Sequence, residues 1–142
     1  IMKRILLCSI IALVAMAAVP GCAELEEKLQ GSASSPEVRP SPRYFDFDDV
    51  LVPGGLNKDT KESYITNGHG RIVLTGRLES ASLAQFFVTS MYSDGWTALN
   101  QYEYQGSIKL FFKKNERIAS ILITENPLGT RVEIWVIPQG KI

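Results

Sequence analysis

Residues 96–138 read WTALNQYEYQGSIKLFFKKNERIASILITENPLGTRVEIWVIP, and this stretch decides the fold. Three breaks rich in turn residues divide it: Gln105-Gly106, Lys114-Asn115-Glu116 and Asn126-Pro127-Leu128-Gly129. Between them lie Trp96–Tyr104, Ser107–Lys113, Arg117–Thr124 and Thr130–Pro138, four segments rich in β-branched and aromatic residues with a period of two. Such short breaks join antiparallel neighbours, because a parallel crossover needs about a dozen residues or more. The four segments therefore read as a meander.

Immediately upstream, the spacing changes from two to helical. Leu83, Phe86, Phe87, Ser90 and Met91 form one apolar stripe on a helix running from about Ala81 or Leu83 to Asp94. Ser82 with Gln85 has the spacing of a capping box, with Ser80 as the other candidate cap. Gly95 occupies the place of a left-handed C-terminal cap, and Trp96 is then positioned to fold back onto Met91. Before the helix, Ser63–Thr66 and Arg71–Glu79 read as strands around the turn Asn67-Gly68-His69-Gly70. In the second strand Ile72, Leu74, Gly76 and Leu78 share one face, and Val73, Thr75, Arg77 and Glu79 the other. Hairpin, helix and four-stranded meander in that order predict an α+β domain of two layers, with the helix packed on one face of an antiparallel sheet.

One helix can cover only part of one face, yet both faces carry apolar residues. Ile108, Leu110 and Phe112 alternate with Lys109, Phe111 and Lys113, and the face holding Phe111, Leu122, Trp135 and Ile137 needs its own cover. The segment Tyr44–Pro53 is expected to supply it, aromatics packed inward and Asp46, Asp48 and Asp49 facing water; the alternative is that the patch meets a partner. Those acids lack the ligand number and Gly-centred turn of a calcium loop.

The chain has 142 residues with 15 basic and 15 acidic side chains, one His and two Cys. That is room for one small domain, and a zero net charge argues against a nucleic-acid partner. Two cysteines build neither a disulfide scaffold nor a four-ligand zinc site. His69 sits between glycines and reads as an exposed turn residue without catalytic or metal role. Gly68-x-Gly70 precedes a strand, the wrong context for a phosphate loop. No nucleophile, base and orienting group come together, so catalytic residues, metal ligands and cofactors are all expected to be absent and the protein is read as a non-enzyme.

The N-terminal part has a different character. Lys3 and Arg4 precede an uncharged apolar run, Ile5–Val19, which as a helix spans roughly 22 Å at about 1.5 Å per residue. That is short of the ~30 Å hydrocarbon core and fits a secretory signal peptide over 1–21. The run ends in Val19-Pro20-Gly21-Cys22, which resembles the lipobox of bacterial lipoproteins. The resemblance implies cleavage between Gly21 and Cys22 and covalent lipid on the Cys22 thiol. With Cys8 removed in the leader, Cys22 is then the sole thiol left. More than one acyl chain gives stable anchoring. Ala23, where an Asp favours inner-membrane retention, points to the outer membrane, facing the periplasm. Residues 22–43, with Gly31-Ser32-Ala33-Ser34-Ser35-Pro36, Pro40 and Pro42, form a tether, and 44–142 the domain.

The domain is also similar to small bacterial envelope lipoproteins with no assigned activity, on Asp49-x-x-Val52-Pro53, Met91-x-x-x-Gly95-Trp96 and Val132-Glu133-Ile134-Trp135-Val136. That likeness implies a compartment and a fold, not a mechanism. Two roles follow as expectations. One is non-catalytic interaction or assembly with an envelope protein through a sheet face, a sheet edge or the helix flank. The other is glycan or lipid binding through exposed aromatics. Tyr102, Tyr104, Phe111 and Trp135 are the candidate interaction face, with Phe86, Phe87 and Trp96 assigned to the core. Lys109, Lys113 and Lys114 read as a solvated strand face.

Overall fold

The computed structural model describes residues 40–140; the expected leader, the Gly21-Cys22 junction and most of the expected tether lie outside them. Among the described residues nine strands and one helix follow in chain order: β1 (Arg43–Tyr44), β2 (Leu51–Val52), β3 (Leu56–Lys58), β4 (Tyr64–Thr66), β5 (His69–Gly76), α1 (Ser80–Ser93), β6 (Thr97–Tyr104), β7 (Ser107–Lys114), β8 (Arg117–Asn126) and β9 (Gly129–Pro138). β1 and β2 form a small two-stranded sheet. The others form a seven-stranded sheet in the order β3-β5-β9-β8-β7-β6, with β4 also paired to β5. All pairings are antiparallel.

The meander stands where the turn residues put it. Gln105 and Gly106 both take positive φ (50° and 74°), as do Asn67 and Gly68 (51° and 73°), the geometry that matches the twist of a two-residue hairpin. β6 to β9 are laid down from one edge inward, and β9 closes against β5 with Ile72 opposite Ile134 and Leu74 opposite Val132. The helix carries the chain across the sheet. From β5 to β6 is four strand spacings, about 19 Å at ~4.8 Å each. Fourteen helical residues rise about 21 Å.

α1 ends in a Schellman motif. The Trp96 N–H donates to the Met91 carbonyl (2.9 Å) and the Gly95 N–H to that of Tyr92 (3.0 Å), with Gly95 at φ +84°. Trp96 and Met91 are both fully buried in the core. The start of the helix differs from expectation. The cap position is Glu79, neither Ser80 nor Ser82, and its side chain accepts from the Ser82 hydroxyl (2.5 Å) instead of capping the backbone. Gln85 turns along the helix to Thr89 (3.4 Å). The Ser80 N–H is satisfied by Glu125 Oε2 at the end of β8 (2.9 Å), a partner 45 residues away that allows the helix to begin earlier.

Leu83, Ala84, Phe87 and Met91 of α1 pack on Ile108, Leu110, Phe112, Ala119, Ile121, Ile123, Val132, Ile134 and Val136. Phe87 and Trp96 are core residues as expected, whereas Phe86 is half-buried at the margin, edge-on to Phe87 (5.8 Å). The lead-in joins this same layer: Phe47, Val50 and Val52 belong to the helix-side core. The expectation that Tyr44–Pro53 covers the opposite face is therefore overturned. Its apolar side chains fill the flank left beside a single helix. β3 was missed because Leu56-Asn57-Lys58 is short, and its pairing to Leu74–Gly76 is set by tertiary contact. β5 ends at Gly76, short of Glu79, because Arg77–Glu79 bends toward the helix.

Candidate functional site

The sheet face away from α1 can be read as rows across the strands. In one row Asn100, Phe111, Ser120, Trp135, Arg71 and Tyr64 stand side by side. In the next, Tyr102, Lys109, Leu122 and Glu133 do so. Tyr104 and Ile137 flank these rows. The structure thus brings Tyr102, Tyr104, Phe111 and Trp135 onto one face, where Tyr102 and Tyr104 are exposed and Phe111 and Trp135 half-buried among side chains of the same face.

Two aromatic clusters stand on it, separated by Ser120 and Leu122. In the first, Tyr64 meets Trp135 edge-on (6.0 Å between ring centres) and the Arg71 guanidinium lies 5.5 Å from the Trp135 ring centre. Arg71 is held by Glu133 (2.9 Å), Glu133 by Arg131 (3.1 Å) and Arg131 by Glu62 (2.5 Å). Burial pushes the Glu133 carboxyl up, but hydrogen bonds and charge from Arg131 and Arg71 outweigh it and hold it below the ordinary value. In the second cluster Tyr102 lies tilted against Phe111 (6.2 Å) with Lys109 5.5 Å from that ring centre. Between and beside the clusters are two shallow hollows of about 260 and 280 Å³. Tyr102, Tyr104 and Ser107 line one, and Ser120, Trp135 and Ile137 line the other; Lys109 and Leu122 are common to both. They are small beside ligand pockets of ~300–1,000 Å³. A groove of about 510 Å³ runs between the lead-in and the helix flank, floored by Gln85, Phe86 and Thr89.

Sequence reasoning found the aromatics but missed Tyr64, Arg71 and Glu133, which fix the Trp135 cluster; the alternation of Arg131, Glu133, Trp135 and Ile137 was the available signal. It also missed a second constellation. Asp49 is buried, against the expectation that the lead-in acids face water, because β7 and β8 present two cations to it. Its Oδ2 accepts from Lys114 Nζ (2.8 Å) and from Arg117. Its backbone carbonyl accepts from Trp96 Nε1 (2.7 Å). Lys114 also donates to the Asp94 carbonyl (2.7 Å), and Tyr44 donates to the Asp94 carboxylate (3.0 Å). Both cations approach the Trp96 ring, Arg117 at 5.0 Å and Lys114 at 5.8 Å. Asp49 Oδ1 and Asp94 Oδ2 are buried without a hydrogen-bond partner.

This arrangement fastens the lead-in to the helix end. It also removes Lys114 from the expected solvated row: Lys114 lies in β7 on the helix side, while Lys109 and Lys113 remain on the opposite face. The lead-in acids diverge, with Asp46 paired to Lys58, Asp48 exposed and Asp49 in the lock. His69 begins β5 and is half-buried, not an exposed turn residue, because the two-residue turn ends at Gly68. No protein-family model, no curated protein and no solved structure matches this chain.

Proposed function

We propose that this is a lipid-anchored protein of the bacterial cell envelope, attached through Cys22 to the outer membrane on its periplasmic side. Its role is non-catalytic, holding an envelope protein through the sheet face of Tyr102, Tyr104, Phe111 and Trp135. The observation that carries the interaction reading is how the rings are engaged. A sugar stacks on a free aromatic face, but Trp135 already has Arg71 over its ring and Tyr64 at its edge, and Phe111 has Lys109 and Tyr102. Trp, Tyr and Arg held rigid on a shallow surface are the composition of protein-interface hot spots. The glycan- or lipid-binding alternative rests on Tyr102 and Tyr104, 48% and 66% exposed beside the 260 Å³ hollow.

A photo-crosslinking residue in place of Ser120 tests the face in intact cells. A discrete adduct with an envelope protein is expected, lost on Trp135→Ala and absent when the probe replaces Tyr92 on the helix. Retention of the chain on glycan or lipid resin, lost with Tyr104→Ala and with no protein adduct, selects the alternative. Fatty-acid labelling of the wild type beside Cys22→Ala tests the anchor; equal labelling of both refutes it.

A further inference from the structure

The two edges of the large sheet are built differently. On one side β5 is covered piecemeal by β3 and β4, three residues each, with residues 59–63 arching between them. Asp59 donates its N–H to the Val73 carbonyl (2.8 Å), and the Ser63 hydroxyl accepts from the Val73 N–H (2.9 Å). That side is capped. On the other side β6 is outermost, eight residues long, and exposed at every position.

Exposed edges are ordinarily blunted with Lys, Pro or bulges. β6 contains no Lys, Arg or Pro, and its only charge is Glu103. One irregularity lies between Ala98 and Asn100, and the next turn begins at Gln105. The regular free edge is therefore Asn100–Tyr104, five residues centred on Tyr102.

We infer that two copies of this chain pair through β6, antiparallel about a two-fold axis at Tyr102. Residues directly opposite in an antiparallel ladder share a face, so only registers that slide by one residue per strand in step are compatible with the pleat. Centred on Tyr102, Asn100 faces Tyr104 of the second copy, Gln101 faces Glu103, and Tyr102 faces Tyr102. The lone carboxylate meets an amide. Centred on Glu103, the two carboxylates confront each other. Centred on Gln101, Glu103 falls against the irregular position at Leu99. Charge and regularity thus select one register. It extends the sheet and sets the two Tyr102 faces side by side, with both helices on the other side. This pairing does not rest on the role proposed for the open face; loss of the Ser120 adduct leaves it untouched.

The full-length chain carrying Tyr102→Cys tests it under mild oxidation. Opposed residues in such a ladder have Cα atoms about 4.5–5.5 Å apart, inside the disulfide range. A covalent dimer is expected well above the level in the parent chain, which keeps Cys8 and Cys22, and above that of Tyr92→Cys and Leu128→Cys, sites 81% and 88% exposed. Sedimentation equilibrium supplies the second readout. Gln101→Lys opposes Glu103 with a cation twice per dimer and should tighten association about fivefold, whereas Gln101→Glu should weaken it by a similar factor. Position 101 is exposed, so folding is retained and circular dichroism verifies it. A monomer throughout, no excess of the Tyr102→Cys dimer, or both Gln101 variants shifting alike overturns the inference, including the case in which β6 takes a strand from a different protein.

Discussion

Asp49 decides how the lead-in is held. Burial raises its carboxyl, but hydrogen bonds and charge from Lys114 and Arg117 prevail and its pKa lies below the ordinary 3.8. A carboxyl depressed on folding contributes stability that is complete above its unfolded value and is lost as pH falls through the folded one. Asp49→Ala should therefore cost about 2–3 kcal/mol at neutral pH, because it leaves two half-buried cations facing each other unpaired. Denaturant titrations should show this gap between wild type and variant closing as pH drops below 3.8. At the same scale the sequence was only partly legible. The aromatic pair Tyr102 and Tyr104 follows from strand spacing alone. The Asp49 lock does not, because Lys114 and Arg117 lie 65 and 68 residues away and their direction depends on how the β7–β8 turn stands over the lead-in.

Elements were legible where their signals are local. The C-terminal cap of α1 is written in Met91, Gly95 and Trp96, which are adjacent on the chain, and it forms as the residues demand. Gly95→Ala places a side chain at φ +84° and should cost about 1–2 kcal/mol, read as a lower thermal midpoint with no change in far-ultraviolet spectrum. The N-terminus was misread because its acceptor, Glu125, comes from β8. The Ser80 N–H holds the Glu125 carboxyl below its ordinary value, so Glu125→Gln should weaken this contact without abolishing it, seen as faster amide exchange at Ser80 alone. β3 escaped notice for the same reason, since a three-residue strand carries no period of its own.

At the level of the whole molecule, the two sheet faces are unequal. The α1 face holds side chains with essentially no exposure, and Phe87→Ala should cost about 3–5 kcal/mol in chemical denaturation. Tyr104→Ala on the other face should change stability by less than about 0.5 kcal/mol. The pairing order was legible through the meander, but the closure of β9 on β5 was not, since nothing local links residues 69–76 to residues 129–138. The place of the lead-in was misjudged for a physical reason: a lone helix leaves a flank of its own layer uncovered, and Phe47, Val50 and Val52 are drawn there first.

The place of β9 between β5 and β8 has a consequence for biosynthesis. A ribosome that has delivered the chain through Asn126 has made two ribbons of the large sheet, one ending in β5 and one in β8, with no strand pairing between them. Only the last-made strand zips them together. Until it emerges the large sheet stays in two parts, so the order of synthesis itself postpones completion of the fold.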